Sequence, residues 1–204
     1  MKKFFALLLV LMLIVSMGAC GKKIDDETGD SQATNPEKDQ KVTVEKGDWI
    51  PASLGNMSFE VRDNWTHEKR DAVEIEYYYF DETKNNYLLV SFEAGYEGLL
   101  ENSKEGFDSM LGGQIESKMD IEFKEKGIVT VGKDIGGFKF VYTDTPVYSE
   151  SEITFTEFYS VYNGSIYWFY ASVKEEYLED YMDDLDHFFS SLQTVSGEGN
   201  PIIE

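Results

Sequence analysis

The chain has 204 residues, 42% of them hydrophobic and 15% aromatic, which is too apolar for disorder throughout and lacks the repeats of a fibrous protein. Thirty-nine acids against 18 bases give a formal net charge of −21, a balance that repels phosphate backbones and argues against nucleic acid as a partner. A single cysteine excludes an internal disulfide framework and any zinc site built from several thiolates.

Lys2 and Lys3 precede an unbroken apolar run from Phe4 to Val15, and Ser16-Met17-Gly18-Ala19 then leads to Cys20. Charge, a short apolar segment and a small-residue site follow one another in the order of a secretory signal. The run is shorter than the roughly 20 residues a membrane-spanning helix needs. Met17-Gly18-Ala19-Cys20 resembles the lipobox of bacterial lipoproteins, with Met17 where leucine is commonest. The resemblance implies cleavage after Ala19, a signal peptide of residues 1–19, and a diacylglyceryl thioether on Cys20. Cys20 is thus the expected lipid-attachment residue. The expected location is the extracytoplasmic face of a bacterial cell membrane, held by acyl chains because so acidic a protein gains nothing from anionic lipid.

Gly21 to Asp48 contains no aromatic residue and only Ile24, Ala33, Val42 and Val44 as apolar ones. Such a stretch cannot offset its conformational entropy by burial, so residues 20–48 are expected to form the lipidated cysteine and a disordered acidic tether. As a coil of about 25 residues it spans roughly 25–30 Å. Asp25, Asp26, Glu27 and Asp30 lack the alternating ligand spacing of a calcium loop.

Beyond Phe5 every aromatic residue falls between Trp49 and Phe189, which marks residues 49–195 as one folded domain and 196–204 as a flexible tail. Met57 to Val61 is predicted to be a strand, closed by the polar turn Arg62-Asp63-Asn64 before Trp65. Val73 to Phe80 alternates with period two, and Tyr87 to Ala94 supplies its hairpin partner across the turn Asp81–Asn86. Ser103 to Met119 changes to a helical period through Phe107, Met110, Leu111 and Ile115, with Asn102 and Glu105 as a capping box. Strands follow at Gly127–Val131, Phe138–Thr143 and Ile153–Tyr162. Asn163-Gly164 signals a type I′ turn into the strand Ser165–Val173. Tyr177, Leu178, Tyr181, Met182, Leu185, Phe188, Phe189 and Leu192 form the apolar stripe of a closing helix. Two helices with five or more largely antiparallel strands make an α+β sandwich.

Phe59-Glu60-Val61 with Trp65, the strand Ile166–Val173 and Phe188-Phe189-Ser190-Ser191-Leu192 carry a resemblance to the PsbP-like family over residues 49–195. It implies a central antiparallel sheet with helices on both faces and a tendency to bind and stabilise partners. The plant members assist the oxygen-evolving complex and a yeast relative binds a small GTPase. No functional residue of the family matches a motif here.

The residues offer little catalytic chemistry. His67, expected in a loop among charged residues, and His187 are the only imidazoles, and Ser190 and Ser191 near His187 lack a nucleophile-elbow sequence. Asp183 and Asp184 lie four and three positions before His187, so they can converge on one helix face towards a cation, or simply form an acidic outward face. Neither Gly112-Gly113 nor Gly136-Gly137 completes a phosphate loop, and these glycines are expected at helix ends and turns. Tyr77-Tyr78-Tyr79-Phe80 and Tyr167-Trp168-Phe169-Tyr170 place rings on both faces of their strands. They suit a sheet covered on both sides, or, where one face is bare, a patch beside Glu74, Glu76 and Glu157 for a peptide or glycan. The expectation is a membrane-anchored, non-catalytic lipoprotein that binds a protein or other envelope component, with no cofactor, metal or catalytic residue assigned. The alternatives are an envelope hydrolase using carboxylates and a small-ligand or cation-binding protein.

Overall fold

The structure, a computed structural model, describes residues 46–70, 74–98, 100–118 and 121–203, all within the compact unit Val44–Glu204. Cys20, the signal segment and all but the last three residues of the expected tether lie outside the described residues. The elements run β1 (Trp49–Leu54), β2 (Met57–Arg62), β3 (Thr66–Arg70), β4 (Ile75–Tyr79), β5 (Tyr87–Ala94), α1 (Lys104–Ser117), β6 (Phe123–Val131), β7 (Ile135–Asp144), β8 (Ile153–Tyr162), β9 (Ser165–Lys174), α2 (Leu178–Ser191) and β10 (Gln193–Thr194). The short 3₁₀ turn Glu175–Tyr177 leads into α2. This is the expected α+β fold: a seven-stranded antiparallel sheet in the order β3-β4-β5-β9-β8-β7-β6, with a small sheet β1-β2-β10.

Register decides which side chains share a face. On the first face Tyr78, Leu88 and Ala171 stand in one row, and Val90, Phe169 and Phe158 in the next. Tyr181, Leu185, Phe188 and Phe189 of α2 and Met57, Phe59 and Val61 of β2 close over them to form the main core. The Phe59 ring lies 5.2 Å from that of Phe188 and 6.3 Å from that of Phe169. On the second face α1 crosses β7 and β8. Its Phe107 ring stands 6.1 Å from Phe138, and Gln114 Oε1 accepts the Tyr159 hydroxyl at 3.1 Å. A helix therefore covers part of each face, the arrangement that the resemblance implies.

Asn163 and Gly164 both have positive φ, +48° and +68°, and join Tyr162 to Ser165 in the expected type I′ turn. Four expectations are corrected. His67 is in strand β3, not a loop. Asn102 does not cap α1: it is buried, its Oδ1 accepts Val161 N–H at 3.2 Å, and its Nδ2 donates to the Asn200 carbonyl at 3.0 Å. Ser103 is the cap, its Oγ accepting Gly106 N–H at 3.1 Å. Gly136 and Gly137 lie inside β7, where a Cβ would strike Ile202 and Phe158 respectively, so close approach and not a turn requires them.

The fourth correction concerns the tail, which is tied down over its described residues. Asn200 exchanges backbone bonds with Asp134 and Gly136, and Ile203 N–H donates to the Asn102 carbonyl at 2.9 Å.

Candidate functional site

The chain enters the domain through a clamp. β1 begins at Trp49, directly opposite Arg62 of β2. The Arg62 guanidinium sits 3.8 Å from the Trp49 ring centroid, and the His187 imidazole stacks at 3.8 Å and 15°. Two groups that close cannot occupy one face, so the indole is held between a cation and an imidazole. Asp184, only 2% exposed, accepts from Arg62 at 2.8 Å and from Lys46 at 3.3 Å. Arg62 also donates to the Gly47 carbonyl at 2.7 Å, while its Nε is buried without a hydrogen-bond partner among the described residues.

The residues that sequence reasoning singled out on α2 are thereby placed. Asp184 is taken by two cations, Asp183 is exposed, and His187 Nε2 lies 2.6 Å from Glu60 Oε2. Ser190 donates to the His187 carbonyl at 2.8 Å. Ser191 accepts Glu60 N–H at 2.9 Å and donates to the Phe188 carbonyl at 2.7 Å. Among the described residues no three His, Cys, Asp or Glu side chains come together as a metal site. An open pocket of about 380 Å³ lies beside this cluster, with Glu60, Lys133, Ser190, Ser191 and Gln193 in its wall.

Two glutamates are buried in the large sheet, Glu76 on its first face and Glu157 on its second, 6% and 3% exposed. Each accepts a phenol from two positions along its own strand, Tyr78 and Tyr159, both at 2.7 Å. Glu76 also meets His67 Nε2 at 3.2 Å and Lys69 at 3.5 Å, and the His67 ring stacks on Tyr78 at 4.7 Å. Glu157 accepts Tyr142 at 2.8 Å and pairs with Lys118 from the end of α1. Burial, reinforced by these hydrogen bonds and by the carboxylate charges, pushes the Tyr78, Tyr142 and Tyr159 phenols above their ordinary value. They remain donors near neutral pH, and both oxygens of each carboxylate meet a donor or a cation. A carboxylate so surrounded ties its strand to the neighbouring elements.

The aromatic tetrads divide between the faces. Tyr78, Phe80, Tyr167 and Phe169 enter the main core, whereas Tyr77, Tyr79, Trp168 and Tyr170 point to the second face. There, on β4, β5 and β9, Tyr77, Tyr87, Trp168 and Tyr170 are half-buried in a ring-to-ring chain with centroid distances of 5.3–6.0 Å. Arg70 lies 4.9 Å over Tyr77 and Lys84 4.9 Å over Tyr79. Trp168 Nε1 is buried without a hydrogen-bond partner among the described residues. Glu157 was visible in the sequence as an acid inside an apolar strand; Lys118, 39 positions away, was not.

No family profile and no curated protein matches the chain. Solved structures resemble it at low identity. A crystal structure from Bacteroides thetaiotaomicron gives a TM-score of 0.48 at 8% identity over 74% of this chain, which spans only 49% of that protein. The solution structure of cyanobacterial PsbP from Synechocystis gives 0.47 at 13% identity, over 78% of this chain and 98% of the other. LpqN of Mycobacterium tuberculosis, described as involved in cell envelope biogenesis, gives 0.46 at 10% identity over 72% of this chain and 90% of its own.

Proposed function

We propose that the chain is a lipid-anchored, extracytoplasmic protein with a PsbP-like domain that binds a protein or other envelope component without catalysing a reaction. The anchor rests on the sequence alone, Lys2-Lys3, the apolar run and Met17-Gly18-Ala19-Cys20. What supports binding over catalysis is the employment of the reactive side chains. His187 is held by Trp49 and Glu60, His67 by Tyr78 and Glu76, and Ser190 and Ser191 by helix carbonyls. The half-buried row Tyr77, Tyr87, Trp168 and Tyr170, edged by Arg70 and Lys84, is the surface best suited to a partner, since rings with polar tips bury area at low entropic cost.

Two experiments test this reading. Cys20→Ser should move the protein from the membrane fraction to a soluble or unprocessed form; continued palmitate labelling of that variant would overturn the anchor. Crosslinking of the anchored protein followed by pull-down should recover one stoichiometric partner, with recovery lost in Tyr77→Ala/Tyr170→Ala. Failure to recover a partner, with turnover of a chromogenic glycoside or ester, would favour the hydrolase instead.

A further inference from the structure

The large sheet ends in two strands, β3 and β6, whose outer sides pair with no described residue. An open edge is a template for another strand, and proteins that do not use it guard it with charge, bulges or brevity. β3 is guarded: it has five residues, among them His67, Glu68, Lys69 and Arg70, with Glu68 paired to Lys84 and Lys69 to Glu76.

β6 is guarded over its first half only. Lys124, Lys126 and a register shift between Phe123 and Glu125 interrupt that half. Gly127 follows with φ +153°, and from there Ile128-Val129-Thr130-Val131 carries no charge and only β-branched side chains, with Ile128 39% exposed. This is the composition with the highest strand propensity, left on an unpaired edge.

We propose that two copies of this chain pair antiparallel through Gly127–Val131 of β6, about a two-fold axis at Val129, to make one continuous sheet. Inward- and outward-facing backbone groups alternate along a strand, so a strand can pair with its own copy only in registers that keep side chains on matching faces. Three such registers cover the uncharged window. Centred on Ile128, the pairing sets Glu125 against Val131 and Lys126 against Thr130. Centred on Thr130, it leaves Ile128 opposite the turn at Gly132. Centred on Val129, it sets Ile128 against Thr130 of the second copy and Val129 against its own counterpart. Continued outward, it brings Glu125 towards Lys133 and Lys124 towards Asp134 of the second copy.

Lys133 and Asp134 are exposed and have no ion-pair partner among the described residues. The overall charge of −21 opposes self-association, but this edge is not acidic: between 123 and 139 Lys124, Lys126, Lys133 and Lys139 face only Glu125 and Asp134. Repulsion between the distant acidic surfaces is screened beyond about 8 Å at physiological salt.

The test is disulfide trapping in the full-length chain in its native membrane, with Cys20 retained and the wild type as control. Val129→Cys should give, under mild oxidation, a dimer of twice the mass of the processed, lipidated chain as the main product. Ile128→Cys, which faces Thr130 in this register, should give little, as should His67→Cys on the guarded edge. Equal yields from Val129→Cys and His67→Cys, or linkage of residue 129 to a different protein, would overturn the proposal. A dimer in the wild type itself would report a free Cys20 thiol, and so count against the anchor and not against the edge.

Discussion

Asp184→Asn isolates the clamp where the chain joins its domain. Asp184 is 2% exposed and neutralises Arg62, whose side chain is 15% exposed, together with Lys46, 36% exposed. Losing a charged hydrogen bond at the Arg62 contact costs about 1.5–3 kcal/mol. The half-open Lys46 pair adds about 0–1 kcal/mol. The sum, about 2–4 kcal/mol, lowers the melting temperature of a domain this size by roughly 5–12 °C. Far-UV circular dichroism during heating, with a parallel urea titration, reads both quantities. Asp183→Asn, one residue away and exposed, should stay within about 0.5 kcal/mol of wild type. An Asp184→Asn protein that melts within about 1 °C of wild type would refute the argument and return this carboxylate to the pool of candidate ligands.

The phenols of Tyr78, Tyr142 and Tyr159 titrate high only in the fold, and that of Tyr181 is pushed up to about 12, chiefly by burial. A folded value above the unfolded one gives stability that is complete below the unfolded value and lost as pH rises towards the folded one. Urea midpoints should therefore be flat from about pH 7 to 9 and fall above about pH 10. Glu157→Gln removes the charge that helps hold Tyr142 and Tyr159 protonated, so alkaline absorbance titration should show them ionising at lower pH than in wild type. Phe188→Ala, at a fully buried ring against Phe59 and Phe169, should cost about 3–5 kcal/mol in a urea titration. Gly137→Ala drives a methyl group against Phe158 and the Tyr159 carbonyl and should cost about 1–3 kcal/mol by the same assay.

Elements with strong local periodicity were legible in the sequence, and those defined by a distant partner were not. The apolar stripe of α2 and the Asn163-Gly164 turn need only their neighbours, and both were found within a residue or two. β3 was missed because Thr66–Arg70 has no apolar side; it is a strand because each residue pairs with Ile75–Tyr79. β1 was hidden by Pro51 and Ser53, tolerated because β1 lies at the edge of the small sheet. Asn102 read locally as a cap, yet its amide is used by Val161, Gly136 and Asn200, contacts that no window around residue 102 contains. The same holds for the clamp: Trp49, Arg62, Asp184 and His187 were each visible, but only the pairing of β1 with β2 beneath α2 brings them together.

The topology also sets when this protein can become itself. β2 is completed by β10 through Met57 and Thr194, β5 finds its neighbour in β9, and Asn102 waits for Ile203. Each closure joins residues far apart in sequence, and the loop entropy must be met before the contact rewards it. Each of these closures has to wait until residues from Ser165 onward have been made. Such late closure is built into strand order and not into any one side chain.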